Sequence, residues 1–353
     1  MENTQTIKNI LLFFMFVLIF FLMIQLKALL IPLAMALMSA LLFNPTIIYL
    51  QKKKIPKWAS IPLILIGSLV IMNFLGVSVV NTVNEIAVNK EYFLNRLVTR
   101  LDSILLSFKY SIGYNVDITN VNQFLHNIIT TQFVSSLLSD IAGGVSSFAG
   151  SFIIFLIYYI IFLIGMSDYR RFLSYVSGDI DDKPVLKSFD RIQNALVYYI
   201  KYKSFINLGT AFVYTLILFF FDIKFFMFFG ILAFFLNFIP NFGALIATVL
   251  AVAMGLIQLD NPNTVLFLLV CILGSNFVIG SVIEPKLMGD RLKLNIIAVI
   301  FGLLFWGYIW GLPGMFLSVP LTVIIKIIFE NFENLSVFGR LLGYPEKKTI
   351  TIK

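Results

Sequence analysis

Long apolar runs recur along this chain, and they decide what it can become. Residues 10–26, 29–50, 58–80, 145–166, 204–221 and 265–283 are runs of 17 to 23 mostly apolar residues, about the length that crosses a bilayer as a helix. Two further stretches, 225–259 and 296–329, are longer and broken at their centres. The first break reads Ile239-Pro240-Asn241-Phe242-Gly243, the second Gly311-Leu312-Pro313-Gly314. A soluble chain would have to cover these runs with charge. Here 59% of residues are apolar and only 12% charged, against about 45–50% and a quarter in soluble domains. A soluble enzyme, a disordered chain and a DNA-binding domain are excluded. An all-α polytopic membrane protein remains.

The 38 Phe suit lipid-facing helices. His126 is the one histidine and Cys271 the one cysteine, so neither a metal cluster nor an internal disulfide is expected. No cleavable signal peptide is expected, since Lys8 alone precedes the first run and no small-residue cleavage site follows. The net charge of +8 is read as positive cytoplasmic loops. Lys52, Lys53, Lys54 and Lys57 cluster in one loop, residues 170–203 hold seven positives, and Lys286, Arg291 and Lys293 form a third group. With these, the tail, Lys8 and Lys326 inside, 20 of the 26 positives are cytoplasmic. Both termini are then expected in the cytoplasm, with Lys326 snorkelling to the inner surface.

The expected organisation follows from polarity. Spans 1–3 occupy residues 1–80, and an extracytoplasmic amphipathic segment occupies 81–144. Span 4 is 145–166, followed by a cytoplasmic amphipathic segment at 167–203. The transport core is 204–329 and the cytoplasmic tail 330–353. Val83, Ile86, Phe93, Leu97, Leu101, Ile104 and Phe108 recur at helical spacing, and a second set runs from Val121 to Ile141.

Each half of a broken stretch is short. Halves of 16 residues in the first and 15 in the second reach roughly 22–24 Å, below a core of roughly 30 Å. Re-entrant hairpins and pairs of tilted spans both satisfy the charge pattern. With alternating orientation, 204–258 and 265–329 become the same unit, a span plus a broken hairpin, placed in opposite directions. Inverted repeats with discontinuous helices are a transporter architecture, in which half-helix ends leave backbone groups for substrate or ion.

The C-terminal third carries specific blocks. These are Phe238-Ile239-Pro240-Asn241-Phe242-Gly243, Gly274-Ser275-Asn276-Phe277-Val278 and Ile283-Glu284-Pro285-Lys286-Leu287-Met288-Gly289. Leu292-Lys293-Leu294 and Gly311-Leu312-Pro313-Gly314-Met315-Phe316-Leu317-Ser318-Val319-Pro320 follow. This pattern resembles the autoinducer-2 exporter family of bacterial permeases. Leu30-Ile31-Pro32, Asn44-Pro45 and Asp168 with Arg170 extend the resemblance over nearly the whole chain. The chain departs from it at Asn295-Ile296, where members usually carry a Pro. The resemblance implies about eight transmembrane helices in the bacterial inner membrane and a homo-oligomer, in the family's terms a pentamer. It also implies export of a quorum-sensing furanone, or sodium/proton antiport in some members.

Candidate site residues follow. Pro240, Asn241 and Gly243 form either a gate with unwound carbonyls or a simple helix-breaking turn. Pro313 and Gly314 carry the same two readings at the second tip, and Pro320 frees a carbonyl or kinks the helix for packing. Asn237 and Asn276 are amides in apolar runs, where polar residues tend to be functional. Glu284, next to Pro285, is the candidate for ion coupling, or an interfacial carboxylate paired with Lys286. No P-loop, zinc set or Ser-His-Asp set is present in the sequence, so no catalysis and no cofactor are expected. Three functions fit: a secondary transporter exporting a small polar organic solute of autoinducer-2 type, a monovalent-cation (Na+ or Li+)/proton antiporter, and a membrane scaffold. The expected partners are the lipid bilayer, a small molecule or ion, and further copies of the chain, without nucleic acid. Broken hairpins argue against the scaffold, and the lack of a mid-span carboxylate argues against the antiporter.

Overall fold

The computed structural model describes residues 2–112, 150–165, 183–289, 294–331 and 335–343. The expected helix at 121–141, His126, Asp168, Arg170 and the end of the tail lie outside them. The described residues are helical apart from turns and one isolated bridge between Leu294 and Gly343. The helices are α1 (Glu2–Gln25), α2 (Lys27–Lys52), α3 (Lys57–Val88), α4 (Lys90–Ile112), α5 (Gly150–Gly165) and α6 (Lys183–Phe220). There follow α7 (Phe226–Leu236), α8 (Phe242–Gln258), α9 (Pro262–Phe277), a π-helical turn (Val278–Ile283), α10 (Glu284–Met288), α11 (Ile296–Trp310), α12 (Leu312–Asn331) and α13 (Ser336–Leu341). Five helical segments are long and apolar enough to cross a membrane: Lys27–Lys52, Lys57–Val88, Ser188–Phe220, Pro262–Met288 and Leu312–Asn331. Four shorter apolar helices accompany them, Gly150–Gly165, Phe226–Leu236, Phe242–Gln258 and Ile296–Trp310.

The chain divides into two compact units. One draws on Met1–Leu65, Ser151–Tyr202 and Gly289–Lys353, the other on Ile66–Gly150 and Lys203–Met288. The first broken stretch therefore belongs to one unit and the second to the other. The helix α6 has no break at 203–204, so the amphipathic segment and the fifth apolar run are one rod.

In the unit holding the first hairpin, α7 and α8 pack together, and α8 also packs on α4 and α9. The reason is visible along α8. Gly243, Ala247, Ala251 and Gly255 recur every fourth residue and all are buried. Small residues at this spacing let helix backbones approach closely where no hydrophobic effect drives association. Tyr214, Leu218, Phe228, Phe229, Met254, Leu268 and Ile272 complete the core. Phe93 and Leu97 on α4 lean on that core, as their helical spacing predicts. Arg96 and Arg100 on the same helix reach the C-terminal end of α8. Arg96 donates to the Ile257 carbonyl at 3.3 Å, and both arginines pair with Asp260. Cations at a helix C-terminus meet unpaired carbonyls, a favourable arrangement.

In the other unit, α11 and α12 form the second hairpin and α13 packs on α12. Gly302 faces the Thr322 hydroxyl and Gly307 faces the Met315 side chain, so the pair is close-packed. Asn295 starts this hairpin. Its Oδ1 accepts from Ala298 N at 2.6 Å, capping α11, while its Nδ2 donates to Leu341 O at 2.6 Å and Gly343 O at 3.3 Å. The residue that departs from the family pattern is thus the clasp between α11 and the segment after α13. Trp310 donates its indole N–H to Met23 O at 3.1 Å, tying α1 to the same hairpin. The second limb is longer than the 15 residues expected. Leu312–Asn331 is one helix of 20 residues, because Pro313 sits in its first turn, where a missing N–H costs nothing, and the helix continues through Pro320.

Candidate functional site

Four polar residues line one face of α6 at spacings of four, three and four: Lys203, Asn207, Thr210 and Tyr214. All are buried, with 7%, 1%, 1% and 0% of their surface exposed. That spacing keeps them on one helix face. In an apolar core each polar atom needs a partner, and three of the four residues find one across the fold.

Tyr214 anchors the first group. Its hydroxyl lies 3.0 Å from the Thr248 hydroxyl on α8. Asn276 on α9 donates from Nδ2 to Tyr214 at 2.9 Å and to Thr248 at 2.9 Å. Thr248 also donates to Ala244 O at 2.7 Å. One closed hydrogen-bonded group therefore joins α6, the inner limb of the first hairpin and α9. An interhelical hydrogen bond in a membrane is worth about 0.6 kcal/mol on average. The group specifies the packing of three helices more than it stabilises them.

Lys203 forms the second group. Its Nζ lies 2.5 Å from Glu284 Oε1, with the lysine side chain 9% exposed and the glutamate 32%. The partner of Glu284 is thus Lys203, not the exposed Lys286. Sequence spacing favours a near neighbour, but Lys286 and Glu284 are only two apart on α10 and face different ways. The π turn Val278–Ile283 ends directly at Glu284, whose N–H bonds to Ile279 O. Pro285 follows, and a proline inside a helix loses one bond and crowds the carbonyl four residues back. The widened turn gives that ring room. Such single π turns frequently mark functional sites.

Asn207 lies between the two groups along α6. Its Nδ2 donates to Phe234 O, near the end of α7, at 3.2 Å. Its Oδ1 is buried and has no partner. Leaving such an acceptor dry and unpaired costs about 1–3 kcal/mol, so the oxygen is an open valence beside the first hairpin.

The turn of that hairpin holds four of the predicted residues. Asn237 caps α7 through its backbone N–H, and neither its side chain nor that of Asn241 makes a hydrogen bond among the described residues. Asn241 has φ 61° and ψ −43°, the rare and strained backbone at the centre of a γ-turn. Phe242 N donates to Pro240 O at 2.7 Å and Gly243 N to Ile239 O at 3.1 Å. A side chain on Gly243 would overlap the Leu236 carbonyl.

The second turn is tighter and less polar. Gly311 has φ 65° and ψ −143°, a region essentially reserved for glycine. A side chain on Gly314 would overlap the Trp306 carbonyl. Pro320 is buried, flanked by Ser318, which donates to Met315 O at 2.7 Å, and Thr322, which donates to Ser318 O at 2.6 Å. Lys326, expected at the surface, is 5% exposed and lies 3.3 Å from Glu330, which also takes Arg191 at 2.7 Å. A carboxylate one turn away holds the ammonium inside.

Of the residues in and between these two groups the sequence singles out Asn276 and Glu284, and it does not single out Lys203, Asn207, Tyr214 or Thr248. Lys203 was placed in a cytoplasmic loop, and the other three hid in an apolar run. The 4-3-4 spacing on α6 was the available signal. Among the described residues, no cluster of His, Cys, Asp or Glu suits a metal.

The profile of the "AI-2E family transporter" family matches residues 10–334. A "Putative transport protein" of Haemophilus influenzae is 26% identical over 98% of this chain and 99% of its own length. "AI-2 transport protein TqsA" of Escherichia coli K12 is 26% identical over 85% of each chain. A "Putative transport protein" of Borreliella burgdorferi is 27% identical over 89% of this chain and 84% of its own. With several helices apolar enough to cross a bilayer and a match along nearly the whole sequence, the chain belongs to the AI-2E transporter family of multi-pass membrane transporters.

Proposed function

We propose that this transporter exports a small, polar, uncharged organic solute, with an autoinducer-2-like furanone as the first compound to test. The observation that carries this reading is the buried, unpartnered Oδ1 of Asn207 beside the first hairpin. Asn237 and Asn241 add open amides at the turn. Neutral donors and acceptors in an apolar setting suit hydroxyl and carbonyl groups, which they orient without a charge to neutralise. Asn276 holds the packing behind them. The carboxylate that would serve an antiporter, Glu284, is already neutralised by Lys203.

In this reading the turns at Pro240-Asn241-Gly243 and Pro313-Gly314, with Pro320 below the second, act as re-entrant tips of an inverted repeat within 204–329. The protein sits in the bacterial inner membrane with both termini inside, as a homo-oligomer. The name of the Escherichia coli relative supports the furanone as a probe. The test is flux in proteoliposomes that hold the full chain and a pH-sensitive dye. Labelled autoinducer-2 should cross, and gradients of sodium, potassium or lithium should leave the internal pH unchanged. A cation-driven pH change without solute flux would assign antiport instead. Silence in both would remove the furanone as substrate.

A further inference from the structure

Helix α2 ends with a lysine where glycine is the favoured residue. Ile55 N donates to Leu50 O at 3.1 Å and Lys54 N to Gln51 O at 3.0 Å, the paired bonds of a Schellman cap. The left-handed position of that cap is held by Lys54, with φ 68°. Glycine adopts this backbone freely, whereas a side chain is strained in it. The cap also removes the ordinary role of a lysine at a helix C-terminus. The Tyr49, Leu50 and Gln51 carbonyls already accept backbone N–H groups, so they need no ammonium. Lysines set orientation from any position in a loop, which does not explain one on the strained residue. Strain kept in a native fold points to a use.

The surroundings give the chemistry. Lys52, Lys53 and Lys54 are exposed, and among the described residues no carboxylate pairs with any of them. The sequence has no Asp or Glu between Glu2 and Glu85. The fourth lysine, Lys57, is spent on Ile164 O at 2.8 Å. The turn joins α2 and α3, both long and apolar enough to cross a membrane, so it emerges at a membrane face. Two exposed rings flank it within one helical turn, Tyr49 at 55% and Trp58 at 78%. Tyr and Trp at helix ends sit at the level of lipid headgroups. Lys53 Nζ lies 4.9 Å over the Tyr49 ring, which keeps that ammonium in the same layer. We propose that Lys52, Lys53 and Lys54 form a docking site for the phosphate headgroup of an anionic phospholipid, with Tyr49 and Trp58 setting its depth. The strain at Lys54 is the cost of a third charge in the turn. The site does not depend on the identity of the exported solute.

The test uses the full chain in a neutral detergent, titrated with phosphatidylglycerol or phosphatidylcholine and read by native mass spectrometry. The natural protein should retain phosphatidylglycerol at concentrations where phosphatidylcholine does not bind. A lysine near an anionic surface is worth about a fivefold gain in affinity. Lys54→Gly should therefore bind phosphatidylglycerol about fivefold more weakly. The same variant should melt about 1–2 °C higher without added lipid, because the cap regains its preferred residue. Lys52→Gln/Lys53→Gln/Lys54→Gly should bind roughly 100-fold more weakly. Lys286→Gln removes an exposed lysine elsewhere and should bind as the natural protein does. Unchanged affinity in Lys54→Gly or in the triple variant would overturn the proposal, and so would equal affinity for the two lipids. An equal loss in Lys286→Gln would reduce the effect to net charge and overturn it as well. A lower melting temperature for Lys54→Gly would make the lysine part of the fold, against the reading of strain kept for a ligand. Displacement of the lipid by glycerol phosphate at equal concentration would assign the site to free phosphate instead. Solute flux is not read, so a failure of the exporter assignment leaves this outcome intact.

Discussion

The two broken hairpins look alike in sequence and differ in what their turns are made of. The first turns on Asn241 at positive φ and stands among amides with open valences. The second turns on Gly311, is backed by Trp306 and Trp310, and satisfies its hydroxyls inside its own limb. The first is packed by α4 and α9 against α8, which carries a face of small residues. The second closes mainly on its own partner limb, with Gly302 and Gly307 as the close approaches. The same device, a proline and glycine break in an apolar run, thus carries open amides in one place and closes tightly on its own limb in the other. What distinguishes them is the side chains brought up from elsewhere, above all from α6.

The largest effect tests what the hairpins share. Gly243→Ala and Gly314→Ala each drive a methyl group into a backbone carbonyl, of Leu236 and Trp306 respectively. Each should cost about 3 kcal/mol, the upper end for overpacking. Gly209→Ala and Gly274→Ala meet nothing within 4 Å and should be neutral or slightly stabilising in their helices. Chemical unfolding in one detergent ranks all four. Equal behaviour of the two pairs would show that neither turn is tight. Normal solute flux in a folded Gly243→Ala/Gly314→Ala double variant would show that neither turn gates transport.

The next separates the turns. Gly311→Ala puts a side chain at φ 65°, ψ −143°, and should cost about 1–3 kcal/mol. Asn241→Gly keeps the positive φ available and should change stability by a few tenths of a kcal/mol. If Asn241 is also a solute ligand, flux falls in that stable variant, and unchanged flux would make it a turn residue only. Asn295→Ala follows at about 1–2 kcal/mol, the worth of a lost helix cap with its further bonds to Leu341 and Gly343. The loss should fall on the second hairpin alone, which hydrogen exchange by mass spectrometry resolves along the sequence.

Much of this comparison was legible before any fold was known. The breaks at Pro240 and Pro313 were plain because Pro and Gly interrupt otherwise unbroken apolar runs. The α4 face with Phe93 and Leu97 followed from helical spacing. The length of α12 did not, since Gly311-Leu312-Pro313-Gly314 reads as one break, while here the helix already starts at Leu312 with Pro313 in its first turn. The π turn before Glu284 has no sequence period of its own. The partner of Lys203, Glu284, lies 81 residues away, a pairing invisible to patterns confined to one helix. The partner of Lys326 is Glu330, four residues on in the same helix, a spacing that the sequence does show.

The smallest effect on stability should give the sharpest contrast in function. Tyr214→Phe removes one hydroxyl from the group with Thr248 and Asn276, whose own 2.9 Å bond remains. The cost should be about 0.6 kcal/mol, within the range measured for single hydrogen bonds between membrane helices. Thr322→Val is a comparable deletion in the second hairpin. The shape is kept against Gly302, and one bond to Ser318 O is lost. Both proteins should fold, and their melting temperatures should lie close together. Their flux should not. In the first hairpin the hydroxyl helps place α8, so a small shift of that helix moves the open amides proposed to meet the solute, and transport should fall several-fold. In the second it binds only its own helix, and transport should stay near that of the natural protein. Equal flux in the two variants would erase the difference drawn between the hairpins, because a hydroxyl joining three helices would then matter no more than one that bonds its own turn.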